Sequence, residues 1–249
     1  MSLPIVNIFS DPYEVWEERQ ATSDEMLEHF RVHKVFKPTI RTRKIASIST
    51  HVGAASYMAN RGADNGLENF IDTFLNKSLD YKLFRNQMPS KTPPALFVYQ
   101  QKYPNYSMTD VDKAINEIGE TLSDGQYLFH GGLWPDFSSN SIELKSPFST
   151  SFCPQIALRN AEWRGQAYDA GQIDLFVLRA VNPQTNVFTF PRKGTKLGNE
   201  KEVLFASGSK LLLRNRMLIK KNYNVVKSDG GTGFLSKDVP IFVIQVDIS

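Results

Sequence analysis

The sequence predicts an α+β chain: a helical N-terminal lobe over residues 1–124 packed on a β-rich domain over residues 125–249. Three observations carry that prediction. The first half places apolar residues at helical spacing. The second half holds short apolar runs separated by Gly, Asn, Pro and Ser clusters, as strands are. The pattern changes at Asp124-Gly125, a turn signal.

Taken in order, residues 11–36 set Val15, Trp16 and Arg19, then Met26, Leu27 and Phe30, at helical spacing, with Asp11 as a cap and Pro12 at the first helical position. Residues 64–77 put Leu67, Phe70, Ile71, Phe74 and Leu75 on one stripe of an amphipathic helix. Residues 86–94 hold three prolines and read as a loop. Residues 109–122 form another stripe, Val111, Ile115, Ile118 and Leu122, with Thr109 as cap and Asp112 near the third helical position. The predicted strands are YLFHG, SPFSTSF, IDLFVLRAV, EVLFA, KLLLRNRMLIK and PIFVIQVDI, interrupted by one helix from Pro154 to about Trp163. The glycine-rich SDGGTGF, 228–234, lacks the strand–loop–helix and following Lys-Ser/Thr of a phosphate cradle, so it reads as a hairpin turn. Repeats and low-complexity segments are not evident.

With 41% hydrophobic and 12% aromatic residues, the 249-residue chain has the composition of a globular protein. A net charge of +3 is too weak to argue for nucleic acid. The basic runs RTRK, 41–44, and RNRMLIKK, 214–221, read as solvated faces, so no nucleic-acid partner is expected. The single cysteine, Cys153, excludes an internal disulfide and reads as a buried filler; the four histidines lack zinc-site spacing, so no metal is expected. The opening MSLPIVNIFSDPYEVW lacks a basic region followed by an apolar stretch, and IFVIQV is far too short to span a bilayer. The expectation is a soluble protein of a reducing compartment with no membrane partner.

Three stretches carry candidate chemistry. GNEKEVLF, 198–205, pairs Glu200 with Glu202; in an extended segment both side chains share one face and Lys201 turns away. Two carboxylates so placed repel each other, and burial raises their pKa values. YLFHGG, 127–132, ends an apolar strand in His130-Gly131, where a glycine permits close approach to the backbone. SPFSTSF, 146–152, sets Ser149, Thr150 and Ser151 in succession inside an apolar strand. Each stretch taken alone also fits an ordinary strand end or exposed edge.

In this order, His-Gly, Ser-Thr-Ser, then Glu-x-Glu, the trio resembles the ADP-ribosyltransferase superfamily over roughly residues 125–248. The context agrees: the Ser-Thr-Ser strand leads into a helix, and Glu-x-Glu opens the apolar EVLFASGSKLLL. The resemblance implies a split β-sandwich that binds NAD as co-substrate. The arginine-type branch has arginine where His130 stands and holds the NAD diphosphate with it. The diphtheria-toxin and poly-ADP-ribose-polymerase branch has His-Gly, the histidine bonding the adenosine ribose. This chain combines the His-Gly of one with the Ser-Thr-Ser and Glu-x-Glu of the other. The diphosphate contact is therefore open, with Arg159 and Arg164 as candidates.

The resemblance implies that Glu202 stabilises the ribose cation and bonds its 2′-hydroxyl, while Glu200 faces the nucleophile. It places His130, Gly131, Ser149, Thr150 and Ser151 at the cofactor, with Ser149 bonding Glu202 and Gly131 offering its backbone to nicotinamide. Phe148, Phe152 and Trp163 are candidates to stack on nicotinamide, core packing being the better expectation for the two phenylalanines. The implied activity is transfer of ADP-ribose to a Thr, Ser or Arg side chain of a host protein, ubiquitin among the targets. An NAD glycohydrolase and a binding module that has lost activity are the alternatives. A chain of this profile also suits a bacterial effector injected into host cytoplasm by a specialised secretion system, its helical lobe covering the cleft or gripping the target.

Overall fold

The computed structural model describes residues 3–135, 138–193 and 197–249. It divides into two compact units, residues 9–50 and the remainder.

Residues 9–50 form a hairpin with a helix between its strands: β1 (Tyr13–Gln20), α1 (Ser23–His33) and β2 (Thr39–Ile48), the strands antiparallel. The helix predicted across 11–36 is thus a strand followed by a shorter helix. Val15, Trp16 and Arg19 also fit helical spacing, but here they lie on a strand paired with β2, which bulges at Ile45 and Thr42. Thr22 caps α1 in a capping box with Glu25, which places Met26, Leu27 and Phe30 on the helix as predicted. RTRK lies on β2 opposite an acidic strand: Arg41 pairs with Glu18, Arg43 with Glu17 and Lys44 with Glu14.

The larger unit holds five helices ahead of its main sheet: α2 (His51–Arg61), α3 (Asn65–Lys77), α4 (Leu79–Asn86), α5 (Pro94–Lys102) and α6 (Met108–Ile118). In α3 the predicted stripe is the buried one, with Leu67, Ile71 and Leu75 inward and Asp64 as cap. Ser107, not Thr109, caps α6. The helix stops at Gly119, whose backbone turns extended (φ −82°, ψ 171°), so the stripe does not run on to Leu122.

The strands that follow are β3 (Glu120–Thr121), β4 (Tyr127–Gly132), β5 (Ser141–Glu143), β6 (Phe148–Ser151), β7 (Ile173–Ala180), β8 (Asn186–Thr189), β9 (Glu202–Phe205), β10 (Lys210–Ser228) and β11 (Phe234–Ile248). α7 (Pro154–Glu162) and α8 (Gln166–Ala170) lie between β6 and β7. The strands make one sheet of order β3-β8-β9-β6-β4-β7-β11-β10-β5. The architecture is the α+β class the sequence predicts, and SDGGTGF is the β10–β11 turn, held by Asp229 accepting from the Gly231 and Gly233 amides. Arg214 pairs with Asp247 and Arg216 with Asp174, which answers the second basic run.

One feature of this sheet positions the site. β4 and β6 are neighbours through a single register pair, Phe129 with Ser151. On one side β4 pairs along its whole length with β7, and on the other β6 pairs along its whole length with β9. The sheet is therefore two ladders joined at one point, and beyond that point lie His130, Gly131 and Ser149.

Candidate active site

β9 is buried at all four positions between β6 and β8. Its first residue, Glu202, stands opposite Ser151 and is only 4% exposed. The Ser149 hydroxyl donates to one carboxylate oxygen at 2.6 Å. The Gln100 amide, from α5, donates to the other at 3.2 Å. The Tyr99 hydroxyl, one residue earlier, adds a third donor's pull on the proton affinity of this carboxyl. Burial nevertheless dominates and pushes the Glu202 pKa up to about 7; the three donors pull it down, and the nearby Glu200 carboxylate pushes it further up. Glu202 thus gains and loses its proton around neutrality.

Glu200 differs. The extended geometry expected for Glu-x-Glu is not found at this residue: Gly198–Glu200 is a turn of 3-10 helix. Lys201 then adopts the left-handed conformation, φ 53° and ψ 38°, before the chain enters β9. The glutamates come close across a turn rather than along a strand. Burial raises the Glu200 pKa as well.

The three hydroxyls of β6 hold this turn and strand in place. Thr150 donates to the Val203 carbonyl at 2.6 Å and Ser151 to the Glu200 carbonyl at 2.6 Å. Ser151 also accepts from the Cys153 amide. Ser149 reaches the carboxyl of Glu202, whereas Thr150 and Ser151 spend their hydroxyls on backbone.

His130 continues from β4. Its Nδ1 lies 2.7 Å from the Ser149 carbonyl oxygen, so this nitrogen carries the proton and Nε2 is left as an acceptor. Burial lowers its pKa to about 4, which makes the imidazole neutral at pH 7. Phe148 and Phe176 pack on the ring at centroid distances of 4.3 and 5.1 Å. Gly131 has a packing reason of its own: a Cβ there would stand 1.8 Å from the Ala157 carbonyl oxygen, so only glycine lets α7 lie on β4. At Gly132 a Cβ would meet His130 Nε2 at 2.9 Å.

The remaining candidates separate. Phe152 is fully buried with its ring edge-on to Tyr81 and Phe84, a core residue. Trp163 is 42% exposed and carries the Arg164 guanidinium over its ring at 4.3 Å. Arg164 sits in the turn after α7 rather than on the helix, in left-handed conformation. Arg159, on α7, is paired with Glu68 of α3 at 3.2 Å. Cys153 is buried, and burial pushes its thiol pKa up to about 11. The described residues contain no cluster of three His, Cys, Asp or Glu able to hold a metal, and no helix among them is long and apolar enough to cross a membrane.

Gln100 and Tyr99 are the site residues that sequence reasoning missed. Their helix, α5, carries Leu96, Phe97, Val98 and Tyr99 in succession, so no apolar stripe stands out. Tyr99 packs edge-on against Tyr103 and Tyr106.

No protein-family model and no curated protein sequence matches this chain. Among solved structures it is similar to the enzymatic component C2-I of the C2-toxin from Clostridium botulinum, at 13% identity and a TM-score of 0.36, over 65% of this chain and 44% of that one. It is also similar to Vis toxin, an ADP-ribosyltransferase from Vibrio splendidus, at 14% identity and 0.35, over 81% and 69%. A third is Exoenzyme S from Pseudomonas aeruginosa, in complex with human 14-3-3 protein beta and bound to carba-NAD, at 12% identity and 0.34, over 79% and 88%. The chain spans less than half the length of C2-I. Of the three, Vis toxin is described as an ADP-ribosyltransferase, the superfamily that the three motifs resemble.

Proposed function

We propose that this chain is a mono-ADP-ribosyltransferase that cleaves the nicotinamide–ribose bond of NAD and passes ADP-ribose to a side chain of a host protein. The observation that carries the proposal is the buried carboxyl of Glu202, gripped by Ser149 and Gln100 and set beside a second glutamate at the point where the sheet divides.

As nicotinamide leaves with the bonding electron pair, its ribose becomes cationic, much as a sugar does in glycoside cleavage. An ionised Glu202 in a site of low polarity stabilises that cation more than the neutral sugar, and only such differential stabilisation speeds the step. Ser149 fixes the rotamer of the carboxylate. The neutral His130 offers Nε2 to a ribose hydroxyl, and the Gly131 backbone faces the nicotinamide amide. Thr150 and Ser151 serve by holding the Glu200–Val203 backbone rather than by touching NAD. Glu200 orients or deprotonates the acceptor, which an alcohol needs because its own pKa lies far above neutrality.

The acceptor is Thr, Ser or Arg, with ubiquitin among the candidate targets. Delivery to a host cytoplasm fits a toxin-like enzyme, and the helices ahead of the sheet serve as cleft cover, since α5 already reaches Glu202. The test is incubation of the protein with NAD and host-cell lysate, followed by mass spectrometry. A labelled host protein and released nicotinamide are expected. Absence of both overturns the proposal, and nicotinamide release without any label assigns water as the acceptor.

A further inference from the structure

Lys201, between the two glutamates of the motif in sequence, has no part in the mechanism, although its side chain is fully buried. Its ammonium makes three contacts, matching its three N–H donors: the Glu68 carboxylate at 3.3 Å, the Asp72 carboxylate at 3.3 Å and the Asn199 carbonyl at 2.7 Å. Glu68 and Asp72 lie four residues apart on α3 and so share a face. Each is held from outside as well. Gln155 donates to Glu68 at 2.6 Å and Arg159 pairs with it at 3.2 Å, while Arg192 pairs with Asp72. The ammonium therefore enters a socket whose walls are already fixed.

The backbone gives this socket a purpose. Lys201 is in the left-handed region, uncommon for a residue with a Cβ and favoured here by the socket that holds its side chain. On its C-terminal side β9 is fixed by ladders on both edges. On its N-terminal side the turn is held, among the described residues, by isolated bonds rather than a ladder: the Glu200 amide bonds the Leu197 carbonyl, Ser151 the Glu200 carbonyl and the Phe152 amide the Lys201 carbonyl. We propose that Lys201 is a positioning residue: clamped by Glu68 and Asp72, it fixes the 198–201 turn and thereby sets the carboxylate of Glu200 against that of Glu202. Helix α3 then governs the acceptor step through a residue that touches neither substrate. The functional half of this inference rests on the reading of Glu200 as the acceptor-facing group.

The test uses the full chain with two alterations, Lys201→Met, which keeps the apolar stem, and the pair Glu68→Gln with Asp72→Asn, which keeps the shape of the socket and removes its charge. Amide hydrogen exchange is measured at residues 198–201 and at β9. Exchange in the turn is expected to rise at least about tenfold while that of β9 stays within about twofold. Nicotinamide release and protein labelling are measured in parallel, and labelling is expected to fall about tenfold further than release, since a misplaced group costs rate through lost orientation. Unchanged exchange in the turn overturns the clamp. Proportional loss of both activities, with faster exchange throughout, makes the network a general packing element and overturns it too. If Lys201→Met does not fold, the Glu68/Asp72 pair decides. A wild-type protein that neither releases nicotinamide nor labels a protein counts against the proposed activity alone, because the exchange comparison does not depend on it.

Discussion

Glu200 and Glu202 stand two residues apart and live in different environments. Glu202 is locked into a strand with two ladder partners, and both its oxygens accept hydrogen bonds from Ser149 and Gln100. Glu200 sits in a single 3-10 turn, its backbone tied by Ser151. The difference teaches that the pair is not a symmetrical dyad. A carboxylate that must meet a fleeting cation gains from rigidity, because preorganised charge needs no rearrangement when the bond breaks. A group that must receive varied acceptors gains from a turn whose backbone is clamped while its side chain keeps room to adjust.

The largest expected break in this comparison is Glu202→Ala. Nicotinamide release and protein labelling should both fall about a hundred- to a thousandfold, with the fold intact by circular dichroism. Labelling at near wild-type rate would refute the role.

Next comes stability against pH. The folded pKa of Glu202, about 7, lies above its ordinary 4.5, so folding favours the protonated form. That stabilisation is complete below pH 4.5, is lost as pH rises through 7, and stays lost above it. Glu202→Gln, which is never charged, should therefore be more stable than wild type at pH 8, by up to about 3 kcal/mol, and the advantage should vanish near pH 4.5. Denaturant titrations at the two pH values check this; an equal difference at both contradicts the raised pKa.

A selective loss is predicted for Glu200→Ala. Labelling should fall about a hundredfold, the ordinary worth of a general base, while nicotinamide release persists because water needs less positioning. Equal loss of both activities removes the acceptor-facing assignment.

The smallest effect belongs to Ser149→Ala. It deletes a donor that pulls the Glu202 pKa down, so the pH profile of nicotinamide release should move to higher pH, with about a tenfold loss at pH 7 from a charge-assisted hydrogen bond. An unshifted profile shows that the bond does not tune the carboxyl.

The sequence carried some of this and hid the rest for physical reasons. The α3 stripe and the strands of the second half were legible because burial on one face imposes a period. β1 was not, because it is largely exposed and its acidic residues make sense only beside the basic run of β2. The bond from Ser149 to Glu202 followed from resemblance alone. Gln100 and Tyr99 lay out of reach: they arrive from a helix with no stripe, about a hundred residues before the glutamate that Gln100 bonds and whose pKa both lower. Gly131 shows the opposite case, a motif glycine whose requirement is met by a helix carbonyl.

The most direct test is the rate of nicotinamide release by wild type and Glu202→Gln, measured side by side from pH 5 to 9. The prediction is a wild-type rate that climbs as a group near pH 7 ionises, and a glutamine variant that is slower by about a hundredfold or more and flat. Matching rates and matching profiles for the two proteins would contradict it.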